Sequence, residues 1–172
     1  MNWIQLDDFA LLLLRVSLAY IFLLPALAIV SDRNRWLRTV QRTAILFRDT
    51  SLSDNEVIVR LAAGCGVAMM AIGGMGVLLG IFEKSACIIL IVFTAPGILI
   101  HNRELKQSIR LVEKISMNRT EPDTALLKEV KASLIEGHRS TAKKNVALIG
   151  VALFILLFSN PVGNISLAAF LW

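Results

Sequence analysis

Arg15 carries the strongest chemical signal in the chain. In "LLLLRVSLAYIFLLP", residues 11–25, it is the single charged side chain in an apolar run. A guanidinium at such a depth is costly in hydrocarbon and marks a functional position by default. It stands about seven residues from the outer boundary of the membrane span, roughly 10 Å at the helical rise, a distance that a snorkelling arginine spans. Its candidate partners are headgroups of the outer leaflet, a carboxylate on another subunit, the C-terminal carboxylate of Trp172, or a polar ligand such as a quinone.

His101, in "ILIHNRE", comes second. No histidine stands three or four residues from it, no acidic residue lies inside the apolar run beside it, and His138 falls in a polar segment. A haem or metal ion needs at least two good ligands placed together, so no metal site is read. His101 then bonds headgroups or the Lys144-Asn145 pair. Arg15 and His101 are the candidate cofactor-binding residues, for a quinone or a lipid headgroup, and no catalytic residue is assigned. The cysteines, Cys65 and Cys87, form no C-x-x-C. Cys65 lies roughly 22 Å below the Gly80 end of its helix at the helical rise. Cys87 lies near the start of the next helix, far outside the ~7 Å that a disulfide allows between Cα atoms. Phosphate loops, nucleophile elbows and carboxylate pairs are missing from the sequence.

The elements that must hold these residues are set by hydropathy. The chain has 172 residues and is 56% apolar, with a mean hydropathy of +0.67. The apolar residues gather in four blocks, and a helix of roughly 20 such residues crosses a bilayer. The reading is an all-α, integral membrane bundle of four transmembrane helices forming a single domain over 1–172. The spans lie at about 9–30, 57–80, 85–101 and 145–160. The flank "MNWIQLDD" is acidic where a cleaved signal needs basic residues, so the first block is expected to stay as a helix.

The net charge of +5 follows the same topology. Arg33, Arg35, Arg38, Arg42 and Arg48 lie in the loop 31–56, ten more basic residues lie in 101–144, and the 81–85 turn holds only Lys84. The positive-inside rule makes both basic loops, 31–56 and 102–144, cytoplasmic and both termini periplasmic. That alternation excludes a nucleic-acid patch as the reason for the charge. Each cytoplasmic loop is expected to carry an amphipathic helix. In the first, Trp36, Leu37, Val40, Ala44 and Phe47 recur at helical spacing between arginines, the pattern of a helix lying on an anionic leaflet. In the second, Thr120 and Asp123 have capping-box spacing, Leu126, Leu127, Val130 and Leu134 share a face, and Gly137 ends the helix.

Ser53 and Glu56 also have capping-box spacing before the second span. That span is rich in glycine, with Gly64, Gly66, Gly73, Gly74, Gly76 and Gly80. Small residues let helix backbones approach closely in a membrane, so this helix is expected at the tightly packed centre of the bundle. A short "IFEKS" turn makes an antiparallel hairpin with the third helix, which Pro96-Gly97 should kink. Arg15, Gly73, Gly74, Gly80, Trp36 and Phe47 are the candidate interface residues. Asn118-Arg119-Thr120 forms a sequon, inert on the cytoplasmic side. The tail "SNPVGNISLAAFLW" should lie along the outer face.

In sum, the chain resembles the DoxX family of small four-helix bacterial membrane proteins. The resemblance covers the four spans and not the two long loops. It rests on Arg15 in "LLRVSLAYIFL", Gly73-Gly74 and Gly80 in "GGMGVLLGIF", His101 at the end of the third helix, "KNVALIG" opening the fourth, and "NPVGNISL" near the C-terminus. It implies a four-helix fold in the inner membrane and a link to quinone-dependent oxidoreductase systems, often as partner to a larger protein. The chain departs from the family pattern at Met70, where a Glu is expected, at Ala168 after Ser166-Leu167, where an Asp is expected, and at "PALAIVSD", where the first helix usually ends in a Gly and a Lys. The lost carboxylates leave Arg15 without an expected counterion and point to a partner outside the chain. Three functions follow, in order. The first is a non-catalytic subunit packing within a larger inner-membrane electron-transfer complex, surrounded by lipid and other integral subunits. The second is an active quinone-interacting redox component. The third is a small transporter.

Overall fold

The computed structural model describes residues 3–48, 50, 52, 55–116 and 121–158. They form five helices, α1 (Trp3–Ser31), α2 (Arg33–Phe47), α3 (Glu56–Leu79), α4 (Glu83–Ser116) and α5 (Glu121–Phe158). Four of them, all but α2, are long and apolar enough to cross a membrane. Their outward faces carry large apolar side chains, among them Phe9, Tyr20, Leu61, Ile72, Val92 and Leu157. Such a surface suits hydrocarbon, while each helix satisfies its own backbone.

The interior is built where α1, α3, α4 and α5 meet. Leu18, Val77, Cys87, Leu90 and Ile155 are fully buried there, and Phe22 packs edge-on to Phe93 at 6.0 Å between ring centroids. The glycines of α3 set its distance from two neighbours at once. A Cβ at Gly73 would stand 2.6 Å from Leu90, one at Gly76 2.7 Å from Ala86, and one at Gly74 2.9 Å from Leu23. The interface candidates Gly73 and Gly74 thus serve contacts within the chain, against α4 and α1. Gly80 serves a different purpose again. It ends α3 in the left-handed region (φ 68°), and the N–H groups of Gly80 and Ile81 return to the carbonyls of Val77 and Gly76. This is a Schellman closure, which needs a residue without a Cβ penalty. The turn that follows launches α4 antiparallel to α3, the hairpin read from "IFEKS".

Several local expectations are revised. The cap of α3 is Asn55, whose side chain accepts from the N–H groups of Val57 and Ile58; Ser53, the expected cap, lies outside the described residues. The loop 102–144 is mostly a continuation of the two spans that flank it. α4 runs to Ser116 and α5 passes through Gly137 without a break, so Gly137 does not end a separate loop helix. A single glycine costs a helix ~1 kcal/mol, and the helix pairing recovers it. The pairs Glu113–Lys131, Glu104–His138 and Gly97–Asn145 step along α4 and α5 in opposite directions and keep them antiparallel. α4 contains Pro96-Gly97 within one helix, as a kinked membrane helix can. Thr120, the sequon at 118–120 and the tail with Trp172 fall outside the described residues.

α2 lies against α1, α3 and α4 at the end of the bundle where the basic residues gather. Asp32 caps it by accepting from the Asn34 N–H. Trp36 packs on the core cluster, with its ring 3.7 Å from the Cβ position of Gly64. Arg33, Arg35, Arg38 and Arg42 are exposed, Phe47 is half-buried, and Leu37, expected on the apolar face, is exposed. The C-terminus of α2 is held from α4. Arg103 donates to the carbonyls of Ile45 and Leu46, both at 2.8 Å, two of the acceptors that a helix end leaves open.

Candidate functional site

Two polar centres sit at opposite ends of the bundle. At the end remote from α2, Arg15 is buried and meets Glu83, the first residue of α4. Its Nε donates to Oε1, and its Nη2 donates to Oε2 at 2.7 Å. This is a two-pronged pairing, the strongest geometry available to a guanidinium and a carboxylate. The counterion of Arg15 is therefore within the chain. The partners expected from the sequence, an external carboxylate, Trp172, a headgroup or a quinone, are not required to neutralise it. Glu83 was overlooked because it lies in the turn, 68 positions away in sequence. The available signal was its place in the first turn of a helix, where a carboxylate favours the helix dipole. Cys87, one turn further along α4, is fully buried, and both cysteines are free thiols.

At the basic end, α4 and α5 bring His101, Glu104 and His138 together. Each offers a ligand atom, and these atoms lie within 4.8 Å of one another. His101 Nδ1 stands 3.3 Å and His138 Nδ1 3.8 Å from the same Glu104 oxygen, Oε2. The other oxygen, Oε1, faces Arg42 Nε at 3.4 Å. His101 Nδ1 and Glu104 Oε2 are buried atoms, yet neither makes a hydrogen bond among the described residues. The sequence reading missed this set because Glu104 lies just beyond the apolar run and His138 on another helix. Asn145, whose side-chain nitrogen lies 2.9 Å from the Cβ position of Gly97, lines the same cleft as His101. The residues that face His101 are Glu104 and His138.

The cluster forms a wall between two concavities. On one side is a cleft of about 540 Å³ among α1, α2, α3, α4 and α5. Its deep wall is apolar, from Phe22, Val67, Met70 and Phe93. Its rim is polar, with Thr39, Arg42 and Thr43 from α2, and His101 and Asn145. Pro96 lines it too and removes the N–H that would otherwise bond the Val92 carbonyl. Cys65 also lines this cleft and is exposed, whereas Cys87 is not. On the other side, Glu104 and His138 border a groove of about 980 Å³ that carries Arg42, Arg48, Arg103, Lys106, Arg110 and Lys114. Among the described residues Arg42 borders both spaces, while His101 lines the cleft and Glu104 and His138 line the groove. An apolar pocket with a few convergent polar groups is the usual form of a small-molecule site. Comparison of the chain with protein-family models, with curated proteins and with solved structures finds no match, so the DoxX resemblance rests on its sequence motifs.

Proposed function

We propose that this protein is a quinone-interacting component of a membrane electron-transfer system, and that the cleft beside α2 is where it holds the quinone. The single observation that carries this reading is the shape and chemistry of that cleft. An apolar wall accepts a prenyl-like tail, and hydroxyl, amide, imidazole and guanidinium groups at one rim can bond a carbonyl-bearing head. Of the two residues proposed from sequence to contact such a ligand, His101 lines the cleft and Arg15 is committed to Glu83. The motif resemblance to DoxX proteins, with their quinone-linked systems, supports the same direction. In the bacterial inner membrane that the motif resemblance implies, the charge distribution supports an orientation with the basic end, α2 and the α4–α5 extension on the cytoplasmic side and both termini periplasmic. α2 then lies at the inner interface with its arginines toward anionic lipid.

Cys65 supplies the test. In detergent-purified protein a maleimide should modify Cys65 and spare Cys87, and a short-chain ubiquinone analogue should slow that modification in a saturable way. Ala62→Trp, which narrows the cleft, should abolish the protection. Native extracts should also yield co-purifying quinone. The absence of both protection and co-purified quinone would overturn the proposal. A subunit role within a larger complex stays compatible with it, but the argument from an unneutralised Arg15 no longer supports that role.

A further inference from the structure

We infer that His101, Glu104 and His138 form a binding site for a divalent first-row transition-metal ion. Two of the three side chains hold a buried atom without a hydrogen bond among the described residues. Two imidazole nitrogens converge on one carboxylate oxygen, at 3.3 and 3.8 Å, yet that oxygen and His101 Nδ1 are buried and make no hydrogen bond among the described residues. Buried polar atoms are nearly always satisfied, and an exception calls for an explanation such as an ion. A cation at the point of convergence accepts lone pairs from all three.

The donor set is chemically apt. Two imidazoles and one carboxylate, with further positions open, are the ligands of catalytic zinc and of ferrous sites that keep room for an exogenous ligand. The spacings need only a small closure to place three atoms around one ion, since metal–ligand bonds of about 2.0–2.2 Å set neighbouring ligand atoms somewhat over 3 Å apart. The supporting shell is also present. Arg42 lies 3.4 Å from Oε1 of Glu104, which leaves Oε2 turned toward the histidines, the kind of outer contact that orients a ligating carboxylate. His101 and Glu104 share a face of α4 three residues apart, and α5 supplies His138, so two packed helices fix the set. Glu104 and His138 also border the basic groove, whose lysines and arginines would hold an anionic exogenous ligand beside the ion.

The test is a Co²⁺ titration of the full chain in mild detergent after chelator treatment, followed by visible absorption and calorimetry. Wild-type protein should bind one Co²⁺ per chain saturably, with ligand-field bands that Zn²⁺ displaces. Glu104→Gln and His138→Ala should each weaken binding more than about tenfold, since loss of an outer-shell partner alone commonly costs that much. Absent saturable binding by the wild type overturns the proposal, whatever the variants do. A smaller loss in either variant, with helical content and elution unchanged, overturns it too. The outcome is separable from that of the quinone reading. His138 does not line the cleft, so His138→Ala should leave the quinone protection of Cys65 intact.

Discussion

The two polar centres differ in how completely they are satisfied. Arg15 and Glu83 form a closed, two-pronged pair in a tightly packed end of the bundle. His101, Glu104 and His138 form an open set with two orphaned atoms, between an apolar cleft and a basic groove. The intramembrane charge that looked functional from sequence has an architectural partner. The other candidate from sequence, His101, has the atom without a hydrogen bond among the described residues. Burial of a charge is thus a weaker guide to function than incomplete pairing, because a buried pair that satisfies itself has nothing left to offer a ligand.

That contrast can be broken most directly at Glu83. Glu83→Ala leaves the Arg15 guanidinium buried without its counterion and should cost about 3–5 kcal/mol, while Arg15→Met with Glu83→Leu should recover most of it. Equilibrium unfolding in mixed micelles gives both numbers, and a Glu83→Ala protein as stable as wild type would show that the pair is not structural. A packing change beside it ranks next. Gly73→Val drives a side chain into Leu90 and should cost about 1–3 kcal/mol in the same assay; a neutral result would mean that α3 and α4 are not this close.

At the open end the expected effects on stability are smaller. Arg103→Ala removes the donor that holds the last carbonyls of α2 and should cost about 1 kcal/mol. Faster hydrogen exchange confined to α2 would confirm it, and unchanged exchange would show that Arg103 does not hold α2. His138→Ala should change metal-free stability least, by less than about 1 kcal/mol, since its Nδ1 stands 3.8 Å from Glu104 Oε2, beyond hydrogen-bond length, so little is forfeited. Unfolding of the chelated protein measures it. A loss as large as that of Glu83→Ala would erase the distinction between the two centres.

Much of the architecture was legible beforehand. The first two spans, the α3–α4 hairpin and the α2 helix follow from apolar run length, a short turn and helical spacing. The glycines of α3 announced close packing. The reach of α5 beyond its span was hidden, because polar residues there look like loop to a hydropathy count while being good helix formers. Gly137 looked like a stop because a helix end and a tolerated glycine differ only in what packs alongside. The partner of Arg15 was hidden because Glu83 sits in a turn, outside the apolar blocks where a counterion was sought. The cluster at His101 was hidden because two of its members belong to segments read as polar and solvent-exposed.

What the sequence determined by itself is the set of properties that depend on neighbours along the chain. These are four long apolar helices, a basic end and a non-basic end, and a small-residue face on α3. Only the tertiary structure decided which charges meet, that Gly73 and Gly74 face α4 and α1 of the same chain, and that α2, α4 and α5 enclose a cleft beside an unsatisfied His-Glu-His set. The physical reason is range. Helix formation and hydropathy are summed over adjacent residues. An ion pair or a ligand set is fixed by angstrom-scale registers between helices, which α3's glycines and the α4–α5 pairing establish only once the bundle is assembled.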